Sequence, residues 1–179
     1  MIISAGNEEI FDFATPIGVG LVESAMNLSR LALFEKPEFL LFIGSAGSYG
    51  KREIFEIVES RGATQIELSF WQNCSYTPID NAIISEGLDI EHHCMVNSSN
   101  YITTCDRYSE NFLKNGIEIE NMEFFCVLSV AKEHSIPAGG IFVVTNHCNR
   151  EAHREYMKNI PKAKDILQNY VKNRFKGVR

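Results

Sequence analysis

Three short polar clusters in this 179-residue chain hold residue types that could do chemistry: Gly44-Ser45-Ala46-Gly47, Asn121-Met122-Glu123 and Thr145-Asn146-His147. An ionised carboxylate offers only acceptors, so Glu123 can take a pair of sugar hydroxyls bidentately. Taken by itself, Glu123 reads better as a charge that complements the dipole of a helix it begins. Ser45 and Ser48 add hydroxyls, and the glycines beside them let a ligand approach main-chain N–H groups without meeting a Cβ. A His147–Cys148 nucleophilic pair is disfavoured, because adjacent strand residues point to opposite faces. His92, His93, Cys94, His147, Cys148 and His153 show no standard zinc-ligand spacing, so no metal site is expected.

Each cluster follows an element able to hold it. The run from Glu38 to Ile43 is continuously apolar after its first residue and reads as a strand buried on both faces. It breaks at Gly44, Gly47 and Gly50 into a loop, and the carboxyl end of such a strand is where open α/β sheets put ligands. Ile141–Thr145 is a second doubly buried strand, ending on Asn146. Ile117–Glu120 alternates as a strand and runs through Asn121-Met122-Glu123 into a helix with Phe124, Val127, Leu128 and Ala131 inside.

Upstream, Met1–Ser4 and Ile10–Ala14 read as a hairpin around Gly6-Asn7-Glu8-Glu9. A helix from Val19 to Glu35 carries two apolar sets at helical spacing, Val22, Met26, Leu33 and Leu21, Leu28, Ala32, and Lys36-Pro37 stops it. Ile54–Glu59, Ala82–Ile84 and His92–Val96 read as strands, Thr64–Asp80 as strand ends and loops, and Asn97–Asn100 as a polar loop carrying Tyr101. A short helix over Tyr108–Asn115 is closed by Gly116, and the tail Glu151–Phe175 is helical with a break at Pro161. This is α/β grammar. It predicts a three-layer α/β/α sandwich with a mixed central sheet, formed by a single domain over residues 1–179.

Lys and Arg number 17 against 23 Asp and Glu, a net charge of −6, which argues against a nucleic-acid polymer as partner. Basic residues gather only near the carboxyl end, at Lys162, Lys164, Lys172, Arg174, Lys176 and Arg179. The five cysteines are odd in number and lack CxxC spacing, so they read as reduced thiols of a cytoplasmic protein. No run reads as a signal peptide or reaches membrane-spanning length, and no membrane partner is expected.

The order of Ile17-Gly18-Val19-Gly20, Gly44-Ser45-Ala46-Gly47, Val96-Asn97-Ser98-Ser99-Asn100-Tyr101, Asn121-Met122-Glu123 and Val144-Thr145-Asn146-His147 resembles the nucleoside phosphorylase and nucleosidase family. The resemblance runs from about residue 10 to the end. It implies that Met122 and Glu123 hold a ribose, with Glu123 accepting from its 2′ and 3′ hydroxyls, and that Tyr101 stacks on the base. Ser45 matches the serine that contacts phosphate in phosphorylases or the attacking water in hydrolases. Asn146 stands where an acid protonates purine N7, and Gly20 and Gly47 belong to the substrate-binding motifs. The activity implied is phosphorolysis of purine nucleosides, with inorganic phosphate as co-substrate and no cofactor. The alternatives are a nucleoside hydrolase and a nucleoside-binding protein without catalysis.

The chain also departs from the family pattern. Family members begin with a strand and a glycine-rich loop, often bearing a phosphate-binding Arg, and the hairpin reading leaves no room for them. Phe42 stands where bacterial purine phosphorylases have Arg, so Arg30, Lys51, Arg52 or a partner subunit would have to hold phosphate. Asn146 is no general acid at neutral pH, but its amide can donate to N7 or O6 of a 6-oxopurine. Glu8 and Glu9 could mimic the acidic turn that activates water in nucleosidases; a surface hairpin is the preferred reading. A missing first strand would expose a sheet edge or the hairpin's apolar side, and at least a homodimer is expected, with the Thr64–Trp71 region or the hairpin buried between subunits.

Overall fold

The computed structural model describes residues 1–175; Lys176 and Arg179 of the basic carboxyl end lie outside them. In chain order the elements begin with β1 (Ile2–Ser4), a 3₁₀ turn (Asn7–Glu9), β2 (Thr15–Pro16), α1 (Gly20–Glu35) and β3 (Leu40–Ser48). Then follow β4 (Ile57–Ser60), β5 (Gly62–Thr64), α2 (Leu68–Trp71), β6 (Ala82–Ile84) and β7 (Met95–Ser98). The rest are a 3₁₀ turn (Asp106–Tyr108), α3 (Ser109–Lys114), β8 (Ile117–Asn121), α4 (Phe124–Glu133), β9 (Ala138–His147) and α5 (Ala152–Arg174). The strands form one mixed sheet, with α1 and α4 on one face and α5 on the other. This is the three-layer arrangement the sequence predicts. Among the described residues no helix is long and apolar enough to cross a membrane.

β3 and β9 are the apolar runs, and their residues from Leu40 to Ile43 and from Ala138 to Val144 are buried. They pair in parallel along the whole of β3, from Leu40 against Ala138 to Ser48 against His147, with an irregularity between Ala46 and Gly47. The other edge of β3 is shared. β1 runs parallel to it at Leu41 and Phe42, and β8 runs antiparallel at Gly47 and Ser48. Between those two partners, around Gly44–Ala46, the edge has no strand beside it.

Met1–Ala14 is not a hairpin, because β1 takes a place inside the sheet and β2 joins it in parallel at Thr15 and Pro16. An apolar strand between β2 and β3 buries Ile2 and Ile3 in the two cores, which a two-stranded hairpin in water could not do. The strand thought to be missing is therefore present, and the edge argued from its absence does not exist. β3 also continues through Gly44–Ser48 instead of ending in a loop, because β9 and β8 pair with those residues. Asn97 and Ser98 are buried strand residues of β7, not loop residues.

Two helices differ from expectation for packing reasons. Of the two apolar sets on α1, Leu28 and Ala32 are buried against α4, whereas Val22, Met26 and Leu33 face solvent. α5 runs unbroken through Pro161. A proline inside a helix costs about 3 kcal/mol. Burying Ile160, Leu167 and Val171 on this one face outweighs that, since each is worth roughly 1.5–3 kcal/mol.

Candidate active site

The gap on the edge of β3 leaves the Ser45 peptide without a strand partner, and two side chains satisfy it. The Ser45 N–H donates to Glu9 Oε1 at 3.1 Å, and Asn121 Nδ2 donates to the Ser45 carbonyl at 3.1 Å. The Ser45 hydroxyl donates to the same Glu9 oxygen. Glu9 is delivered by the 3₁₀ turn that follows β1 and is only 7% exposed, with Oε2 buried and unpartnered. Gly44 makes this possible: a Cβ there would lie 2.8 Å from Glu9 Oε2 and 2.9 Å from the Phe42 ring. Any other residue would displace the carboxylate or the ring.

Asn121 ends β8 and caps α4. Its Oδ1 accepts from the N–H groups of Glu123 at 2.8 Å and Phe124 at 3.0 Å, while its Nδ2 holds β3. One asparagine thus fixes the start of α4 against Ser45. Glu123 is 3% exposed, and its Oε1 accepts the Gly20 N–H at 2.9 Å from the first turn of α1. Burial first, and then the charge of Glu9, push the Glu123 carboxyl up to about 8. Burial raises Glu9 as well, opposed by the two donors of Ser45.

These groups face a cavity of about 650 Å³, large enough for a small ligand. Ser45, Tyr101, Met122, Glu123 and Asn146 line it together, so five of the seven expected site residues meet in one place. Tyr101 sits at the mouth, 79% exposed. Asn146 ends β9; Thr145 Oγ1 donates to its Oδ1 at 2.9 Å, and its Nδ2 donates to the His147 carbonyl at 3.2 Å. The other two expected residues lie behind the wall. Gly20 offers its N–H to Glu123, and Gly47 leaves room for Asn146 Nδ2, which would be 3.0 Å from a Cβ there.

Several lining residues are not among the expected site residues, and Glu8 and Glu9 belong to the turn that the sequence reads as a surface hairpin. Glu8, Glu9, Glu120, His153 and Tyr156 all face the cavity. Burial and the charges of Glu9, Glu8 and Glu123 push the Tyr156 phenol up to about 12. Glu120 accepts the Tyr49 hydroxyl and the Thr103 N–H, each at 2.9 Å. Met1–Ser4 followed by Ala5-Gly6 has the same strand-into-glycine form as the run ending at Gly44, which signals a sheet strand at β1 but not the burial of Glu9.

The basic residues expected to hold phosphate are elsewhere. Lys51 and Arg52 both pair with Glu118, Arg52 also with Glu56 at 2.7 Å, and Arg30 bonds Asn27 on the surface of α1. Phe42, at the expected arginine position, is buried among Phe124 and Phe142 with ring centroids 6.2 and 5.8 Å away. Among the described residues, four glutamates line the cavity and no Lys or Arg does. Cys148 is buried, and its thiol is held well above the ordinary range by burial and by Glu120, which leaves it inert as a nucleophile.

No protein-family model matches the chain, and no curated protein matches it. Solved structures do. The futalosine hydrolase of Helicobacter pylori strain 26695 superposes with a TM-score of 0.82 at 15% identity, covering 96% of this chain and 94% of that one. An aspartate-to-asparagine variant of the H. pylori 5′-methylthioadenosine/S-adenosylhomocysteine nucleosidase (MTAN), with 5′-methylthioadenosine in its active site, gives 0.81 at 14% identity and covers 96% and 95%. The Streptococcus pneumoniae enzyme of the same kind, in complex with 8-aminoadenine, gives 0.76 at 15% identity and covers 95% of each chain. The chain therefore has the fold of these nucleosidases and of the futalosine hydrolase.

Proposed function

We propose that the protein cleaves the N-glycosidic bond of purine nucleosides with water as acceptor. The observation that carries this reading is Glu9, a buried carboxylate that takes both donors of Ser45 beside the cavity. Those donors are the ones the family resemblance assigns to phosphate in phosphorylases. An anion about 4 Å from an ionised Glu9 would meet roughly 4 kcal/mol of repulsion at the effective dielectric of a protein surface. No Lys or Arg among the described lining residues offsets it. Water is neutral and meets no such repulsion. The superposed structures agree with this, since they are hydrolases and nucleosidases.

In this reading Glu123 accepts the 2′ and 3′ hydroxyls of the ribose, Tyr101 stacks on the base, and Met122 packs against the sugar. The C1′–N9 bond breaks with its electron pair leaving on the base, and the ribose passes through an oxocarbenium-like state that the nearby carboxylates favour. A water oxygen bonds to C1′, and its proton goes to Glu9 as general base. The free N–H of Asn146 Nδ2 donates to N7 or O6 of a 6-oxopurine and so steadies the charge on the departing base; the proton that base finally takes comes from solvent.

One observation favours a second reading, nucleoside binding without turnover: Asn146 has no acidic proton to give. The related nucleosidase variant that holds 5′-methylthioadenosine also has asparagine in place of an aspartate. Incubation with inosine, guanosine and adenosine, with and without phosphate, separates the readings. Free base and ribose supports hydrolysis, ribose 1-phosphate overturns it in favour of phosphorolysis, and intact bound nucleoside supports the binding reading.

A further inference from the structure

The segment joining β7 to the second 3₁₀ turn carries Tyr101, and it is tied down at three points. Ser99 Oγ reaches Glu67 at 3.4 Å and accepts the Tyr101 N–H at 3.1 Å. Thr103 N–H donates to Glu120 at 2.9 Å. Between them, Asn100 Oδ1 accepts the Leu21 N–H at 2.8 Å, in the first turn of α1. The neighbouring donor of that turn, Gly20 N–H, goes to Glu123. The opening turn of α1 is therefore capped by two side chains from distant parts of the chain, one beside the proposed base-stacking tyrosine and one that is the proposed ribose ligand.

Gly20 shows how closely Asn100 is held. Its φ is +81°, and a Cβ on it would stand 2.8 Å from Asn100 Oδ1. The hydrogen bond and the lack of space for any side chain both place the Asn100 amide oxygen against the first turn of α1. Tyr101 itself is largely exposed, so its aim depends on the anchors either side of it.

We propose that Asn100 is a positioning residue, which fixes the base-facing wall at Tyr101 by capping α1, and that through this shared cap the base and ribose ends of the cavity are set relative to each other. The proposal rests on the nucleoside reading above. An acceptor is what the position needs, so Asn100→Asp keeps the anchor, with a carboxylate that a helix N-terminus also favours. Asn100→Ala removes it.

The test compares the wild type, N100A and N100D as full chains. Hydrogen exchange, read without ligand, is expected to speed up about fivefold to tenfold in N100A at residues 99–103 and 20–23, and to return to wild-type rates in N100D, in keeping with the loss of one hydrogen bond. Affinities for hypoxanthine and for inosine are expected to fall together in N100A by a similar factor and to recover in N100D. Unchanged exchange at 99–103 overturns the anchoring claim. A loss for inosine with hypoxanthine unaffected overturns the assignment to the base side. Failure of the wild type to bind either compound sinks the nucleoside reading, and the base-positioning claim with it, whatever the exchange shows.

Discussion

Glu9 Oε1 accepts the Ser45 N–H at 3.1 Å and the Ser45 hydroxyl as well, so a carboxylate takes both Ser45 donors before any ligand arrives. The first prediction follows from that pair. Product release from inosine should not depend on phosphate, and the sugar product should be ribose. Glu9→Gln keeps the volume and removes the base, so turnover should fall about 10²–10⁴-fold while inosine affinity changes little. A Glu9→Gln variant with wild-type turnover would remove Glu9 from the chemistry.

The second prediction concerns pH. Glu9 and Glu123 are both raised, Glu123 to about 8, and in the unfolded chain both return to the ordinary carboxylate range. Between those limits the folded state binds more protons than the unfolded one. The contribution of this pair to stability is therefore complete at low pH and is lost as pH rises toward 8. In thermal unfolding the Glu123→Gln variant should lose less stability between pH 5 and pH 8 than the wild type. Binding of a ribose diol should also expel a proton near neutral pH, and calorimetry in buffers of differing ionisation enthalpy would count it. No proton release would mean that Glu123 is already ionised in the free protein.

How much of this could be read in the sequence depends on what made each feature visible. β3 and β9 announce themselves by unbroken hydrophobicity, and the clusters at their ends are legible for the same reason. Glu9 was not, because an acidic residue three positions after Gly6 looks the same in sequence on a surface turn as in a buried one. What decides between them is the missing side chain at Gly44, 35 positions downstream, together with the unpaired edge of Ser45. The continuity of α5 through Pro161 was hidden similarly: the local rule for proline is sound, and tertiary burial overrules it.

Gly44 supplies the third prediction. Gly44→Ala places a methyl 2.8 Å from Glu9 Oε2 and 2.9 Å from the Phe42 ring, both hemmed in by core. Overpacking of this kind costs about 1–3 kcal/mol. Denaturant unfolding should show that loss, and turnover should drop in parallel with Glu9→Gln if the carboxylate is what moves. A variant destabilised yet fully active would place the strain on Phe42.

Glu123→Ala makes the fourth. Two hydroxyl contacts to a charged group, each worth roughly 1.5–3 kcal/mol and overlapping in effect, should together weaken inosine by about 2–4 kcal/mol and leave hypoxanthine nearly unchanged. Equal losses for nucleoside and base would reduce Glu123 to a cap for Gly20.

The last prediction concerns the base. Asn146 has its oxygen engaged by Thr145 at 2.9 Å and one amide hydrogen directed to the His147 carbonyl, which leaves a second hydrogen to donate. A 6-oxopurine presents acceptors at both N7 and O6, so a lone donor suits it. A 6-aminopurine presents an acceptor at N7 beside a donor, and its poorer leaving group needs a proton that an amide does not supply. The wild type should therefore cleave inosine or guanosine in preference to adenosine. Asn146→Asp puts a carboxyl in the same buried pocket, where burial and the neighbouring glutamates favour the protonated form and so create an acid. Adenosine turnover should rise relative to inosine in that variant, most clearly below neutral pH. If Asn146→Asp leaves the ratio of the two rates where it was, the amide does not face the base, and the specificity must come from the wall that carries Tyr101 and Ile102.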